Sequence, residues 1–225
     1  MPSALQIGVH EFLTRSGTRG ELSRLRGPLV PLVIAGAGGM YGGVMAAFGG
    51  FNGDRLWMVL FGALKVPLLF SATLLLAIPC FYLLNILLGV GADFRRVWRA
   101  LIDFQISVAV QLAALAPVTL LLNVVESDYR VAQAWSTLMF ALASWNARRG
   151  LLRSYADLEQ RNIVHRSLRG VWLILYAFIG IQMAWDLRPF VGNPELGVTF
   201  FRDDIGTAFV EVPRVLFEAI GKAVD

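Results

Sequence analysis

Apolar positions in this chain gather into long runs, and the charged positions fall largely in the intervals between them. One run reaches from about Pro28 to Gly50, a second from Trp57 to about Gly91, a third from Phe104 to Val125, and another from Val171 to about Trp185. A helix of about 20 residues crosses the hydrocarbon core of a bilayer, and it satisfies its own backbone groups without water. Each run is therefore predicted to be a transmembrane helix. The second is roughly 35 residues long and contains no written turn, so it is expected as one tilted span kinked near Pro67 or Pro79. A weaker run from Val131 to Asn146 follows the turn at Glu126 to Arg130 and brings the total to about five spans.

The ends of the chain carry a different period. Leu5, Ile7, Val9, Phe12 and Leu13 alternate with polar residues before a Gly- and Arg-rich linker, Ser16 to Arg26. Near the other terminus Ile205, Phe209, Val212, Leu216, Ile220 and Val224 recur every three or four positions, with Glu211, Arg214, Glu218 and Lys222 elsewhere on the wheel. Both patterns predict amphipathic helices lying on a membrane surface. The expected fold is all-α: a polytopic membrane protein of about five transmembrane helices with amphipathic surface helices at both ends. Its expected parts are a basic N-terminal segment (1–27), a membrane domain (28–187) and a tail (188–225).

Composition excludes a soluble alternative. Of 225 residues 56% are hydrophobic and 16% charged, where soluble domains carry about 25% charged residues. Charge then orients the bundle. Thirteen of the 20 Lys and Arg fall in the N-terminal segment, the interval after the second span and the connector 147–170. By the positive-inside rule these are cytoplasmic, leaving the C-terminus outside. The first thirty residues lack the pattern of a cleavable signal, so the first span is expected as an uncleaved anchor.

Few residues suggest chemistry. Lys65 sits in the first third of the second span, where a lysine is a functional candidate by default. A plainer reading lets it snorkel to the outer interface near Trp57. Gly38, Gly42 and Ala46, and likewise Ala35, Gly39, Gly43 and Ala47, repeat every four positions. Such spacing lets helices approach closely in lipid; a phosphate loop would need a GK[ST] ending that is missing. No Asp, Glu or Arg lies deep in a span, which argues against a proton-driven transporter. Ser71, Thr73, Asn85, Gln105, Ser107, Gln111, Thr119, Asn123, Gln133, Ser136, Ser144 and Gln182 are expected as interhelical hydrogen-bonding groups. His10 and His165 fall outside the spans, so no haem or pigment ligand is expected, and Cys80 is alone, without a disulfide or metal partner. Ser154 and His165 share the connector without an orienting third group. No cofactor and no metal are expected. The connector arginines Arg148, Arg149, Arg153, Arg161, Arg166 and Arg169 fit the topology rule, with anionic lipid or an acidic partner as alternatives and nucleic acid set aside.

The most distinctive stretch runs Gly180-Ile-Gln-Met-Ala-Trp-Asp-Leu-Arg-Pro-Phe-Val-Gly-Asn-Pro194, followed by Phe200-Phe201-Arg202. Pro189 ends the fifth helix near Arg188, Trp185 marks an interface, and Gly192 with Asn193-Pro194 makes a turn. Asp186 and Arg188 are expected to pair with each other or with Lys65, forming a candidate rim of Lys65, Asp186, Arg188 and Pro189. This stretch resembles the Trp-x-Leu-Arg-Pro-Phe-x-Gly-x-Pro ending of a group of bacterial five-span membrane proteins. That group also carries Lys-x-Pro-Leu-Leu-Phe-x-x-Thr, matched by Lys65, Pro67, Leu68, Leu69, Phe70 and Thr73. More distantly the layout looks like the Yip family of membrane-trafficking proteins. The resemblance implies topology and no reaction; the expected location is the bacterial inner membrane. Three functions follow as expectations: a non-enzymatic scaffold or accessory subunit that packs against other membrane proteins or itself, a transporter or channel component with a polar path near Lys65, or an interfacial lipid-handling enzyme.

Overall fold

A computed structural model describes residues 29–50, 53, 55–192, 197–201 and 208–209. The amphipathic segments expected at the two termini, and the linker Ser16 to Arg26, lie outside the described residues apart from Ala208 and Phe209. Among the described residues there is no strand. The described residues form five long helices, α1 (Leu29–Ala46), α2 (Arg55–Leu87), α3 (Phe94–Val125), α4 (Tyr129–Arg161) and α5 (Val164–Asp186), with a 3-10 turn, Gly91–Asp93, ahead of α3. By length and composition four of these regions can cross a membrane: α1, α2, Gly91–Val125 and α5. The exposed Leu60, Leu64, Leu75, Leu83, Ile174 and Phe178 give the outer faces of α2 and α5 an apolar surface suited to lipid.

Neighbouring helices run antiparallel, because the links between them are short. One end of the bundle gathers the close of α1, the start of α2, the close of α3 and the start of α4. The opposite end carries Arg95, Arg96, Arg99, Arg148, Arg149, Arg153, Arg161, Arg166 and Arg169 and is called the basic end below. α1 packs closely on α2 and α3, α3 on α4, and α2 on α5.

The α1–α2 seam depends on the absence of side chains. A Cβ on Gly42 would overlap the carbonyl oxygen of Gly62, and one on Gly62 would overlap Ala46. Gly38 faces Val66 and Phe70, and Gly43 faces Val59 and Ala63. Gly39 would bring a Cβ to 3.1 Å from the carbonyl oxygen of Ala63. That carbonyl is the one Pro67 leaves without its helical donor, and Pro67 and Pro79 both lie inside the continuous α2. Contact here is of backbone on backbone, the geometry in which weak Cα–H···O contacts and dispersion favour helix on helix over helix on lipid.

Two expected boundaries are corrected. The segment 91–103, open at the level of sequence between interfacial loop and helix, is a 3-10 turn at Gly91–Asp93 followed by the first residues of the third helix, which begins at Phe94, ahead of the expected span start at Phe104. The connector 147–170 is helical except at Asn162 and Ile163, so α4 continues to Arg161 and α5 starts at Val164. Arginines mark where a membrane ends, and the helices run on through them. Arg, Leu, Ala, Glu and Gln are strong helix formers, and Ala143, Ala147, Leu151, Tyr155 and Leu158 carry the buried stripe of α4 on without interruption. At 33 residues α4 is about 50 Å long, yet its basic half keeps it outside the set apolar enough to cross.

Candidate functional site

Polar side chains inside an apolar bundle must find partners or carry a cost of about 1–3 kcal/mol each. They collect at two places. The first is the end opposite the arginines. Lys65 lies ten residues into α2, about 15 Å along its axis from Arg55, and it is 0% exposed. Its Nζ donates to the Pro189 carbonyl at 2.8 Å. The same ammonium sits 4.8 Å from the centroid of the Phe200 ring and 6.0 Å from that of Phe190, a cation–π setting. The snorkelling lysine expected above is therefore replaced by one enclosed in protein.

What encloses it is the distinctive stretch itself. α5 meets α2 where Gly180 faces Thr73, and it stops at Asp186. The chain then climbs beside α2 through Leu187, Pro189, Val191 and Gly192, all buried, with a cis Arg188–Pro189 bond. At Gly192 the backbone meets the close of α1: a Cβ there would stand 2.8 Å from Ala46 O and 2.9 Å from Phe48 O. Beyond it Phe200 packs edge-on against Phe61. Phe209 stacks on Phe178 at 4.2 Å, and Ala208 N donates to Gln182 Oε1. Of the expected rim, Lys65 and Pro189 meet. Asp186 instead accepts from Gln182 Nε2 at 3.0 Å. Arg188 donates to Trp185 O and lies 3.4 Å from the centre of the Trp185 ring.

Polar groups of the spans divide between hydrogen bonding and enclosure. Asn123 Nδ2 donates to Val44 O at 2.8 Å, joining α3 to α1, and Asn146 Nδ2 donates to Gln111 Oε1, joining α4 to α3. Asn85 and Ser136 turn back to carbonyls of their own helices. Tyr41 Oη and the hydroxyls of Thr73 and Thr119 are buried with no bonding partner among the described residues.

The second polar gathering is at the basic end. His165, 0% exposed, brings Nε2 to 3.5 Å from Asp93 Oδ2, while Asp93 Oδ1 accepts from Arg96. Phe104 stands edge-on to Trp172 and Tyr176, which stack on each other. Arg169 pairs with Glu159 across α4 and α5. Ser154 is exposed and His165 is turned to Asp93, so the two do not act together. Arg148, Arg149, Arg153 and Arg166 are exposed, with the Arg148 guanidinium 5.4 Å from the Trp145 ring. Tyr155 is fully buried, and burial pushes its hydroxyl well above the usual tyrosine range, with nearby Arg169 opposing that shift. Sequence reasoning missed this gathering, whose one early signal was the spacing of Leu151, Tyr155 and Leu158. Among the described residues no group of three metal-binding side chains occurs.

A comparison with known proteins finds no matching family model, no matching curated protein and no matching solved structure.

Proposed function

We propose that this protein is a non-enzymatic scaffold or accessory subunit of a larger complex in the bacterial inner membrane, with residues 131–146 of α4 serving as a fifth span. The basic end faces the cytoplasm and the C-terminus lies outside. The observation that carries this reading is Lys65. As the one basic side chain far inside α2, it is held by a backbone carbonyl and aromatic rings, where it fastens the tail to the bundle. A transport path would need that charge turned toward water. The glycine seam and the enclosed polar groups likewise suit a rigid body that presents surfaces. Kinship with the bacterial five-span group, and more distantly with the Yip family, is part of the same proposal and rests on the motif residues around Lys65 and Trp185.

The test is gentle extraction of the full chain followed by native mass spectrometry. A partner subunit or a second copy should remain bound in fixed stoichiometry. A stable monomer without a partner, under conditions that keep the helices folded, would overturn the scaffold reading.

A further inference from the structure

We propose that two copies of this chain pair in the membrane through the outer face of the α3–α4 hairpin, with α3 of each copy against α4 of the other. The inference rests on the scaffold reading above and deepens it by naming the partner and the surface. It begins with the helical period. On α3, Asp103, Ser107, Gln111, Ala114, Val118 and Leu121 recur at intervals of four and three residues, so they share one stripe. On α4, Leu138, Leu142, Asn146, Arg149 and Arg153 do the same. The α4 stripe is exposed throughout; on α3, Ala114, Val118 and Leu121 are exposed and the other three half-buried. Asn146 Nδ2 donates to Gln111 Oε1 at 2.7 Å, which sets the two stripes side by side on one face and fixes their levels.

Lipid ordinarily covers an apolar face in a membrane, but it leaves these amides unsatisfied. Gln111 lies well inside the apolar run Phe104 to Val125. Its Nε2 donor and the Asn146 Oδ1 acceptor bond nothing further among the described residues, and acyl chains offer neither donor nor acceptor. A second copy offers both. Two copies inserted the same way up are related by a two-fold axis along the membrane normal, through a self-complementary interface. Each residue then meets residues of its own depth, with left and right exchanged. Gln111 of one copy therefore faces Asn146 of the other, twice over. Each spare donor meets a spare acceptor, and interhelical hydrogen bonds of this kind hold helices together in lipid.

Charge agrees independently. Asp103 is half-buried, one turn from Arg99, and forms no ion pair among the described residues. Arg153 is exposed and likewise has none. Asp103 lies about 12 Å from Gln111 along α3, and Arg153 about 10 Å from Asn146 along α4, both toward the basic end. The two are nearly level. The rotation that joins the amides thus sets Asp103 of each copy opposite Arg153 of the other. In the opposite direction it sets Ala114 against Leu142 and Val118 against Leu138, smaller side chains against larger.

The test uses membranes carrying two differently tagged full-length copies in a Cys80→Ala background, one with Val118→Cys and the other with Leu138→Cys. After oxidation, a mixed-tag disulfide should form in high yield. A control pair, Leu64→Cys with Leu138→Cys, should give little, since Leu64 is as exposed but lies on α2. Gln111→Leu should lower the yield about tenfold. Asp103→Arg should lower it as well, and Arg153→Asp added to the same chain should restore it, a rescue that general misfolding would not allow. Equal yields from the two pairs, or an unchanged yield in both Gln111→Leu and Asp103→Arg, would overturn the pairing. No mixed-tag product while native mass spectrometry retains a different subunit would overturn the pairing and leave the scaffold reading standing; a partnerless monomer would overturn both.

Discussion

Gly42→Leu should break the bundle at its α1–α2 seam, whereas Gly36→Leu on the same helix should leave it intact. The contrast isolates packing from propensity, because leucine is a better helix former than glycine at either position. Gly36 has nothing within 4 Å of where its Cβ would be, while a Cβ at Gly42 would already overlap the Gly62 carbonyl. The remainder of a leucine side chain would have to force α1 away from α2 along Gly38, Gly39 and Gly43. Overpacking of this kind costs about 3 kcal/mol or more when the neighbour is backbone and has no rotamer to yield. Thermal unfolding in detergent, followed by circular dichroism and size-exclusion profile, should show a large loss for Gly42→Leu and little change for Gly36→Leu. Equal behaviour of the two would remove the seam from the account.

The second large effect is expected at Lys65. Lys65→Met keeps the length of the side chain and deletes the donor to Pro189 O, leaving a buried carbonyl unsatisfied at a cost of about 1–3 kcal/mol. The Phe200 and Phe190 rings lose their cation as well. Because α1, α3 and α4 pack without this contact, the loss should be local. Hydrogen exchange of residues 187–201 should accelerate by about tenfold or more, with α3 and α4 unchanged. Uniform acceleration would mean that Lys65 supports the whole bundle; no acceleration would mean that it does not fasten the tail.

Much of this architecture is readable from local pattern. The apolar runs locate α1, α2 and the apolar part of α3, and the four-residue spacing of small side chains marks the face of α1 that meets α2. Helix ends were harder at the basic end, since arginines limit an apolar span without ending the helix, and α3 and α4 continue through them. The fate of Lys65 was beyond local reading for a different reason. Its partner lies 124 residues away, in a segment whose climb beside α2 depends on α5 stopping short. Asp186 and Arg188, neighbours in sequence and opposite in charge, looked like a pair; the helix end instead turns Asp186 to Gln182 and lays Arg188 on Trp185. The contacts of His165 with Asp93 and of Arg169 with Glu159 likewise arise only once α3, α4 and α5 converge.

The five-span proposal requires α4, despite its basic half, to cross the membrane. Single cysteines at its two ends, Asp128→Cys and Asn162→Cys, can be placed in a Cys80→Ala background, since the chain has one cysteine. Labelling intact cells with a membrane-impermeant thiol reagent should modify the cysteine at 128 and spare the one at 162 until the membrane is opened. Modification of both, or of neither, before opening would place the two ends of α4 on one side and contradict the five-span bundle.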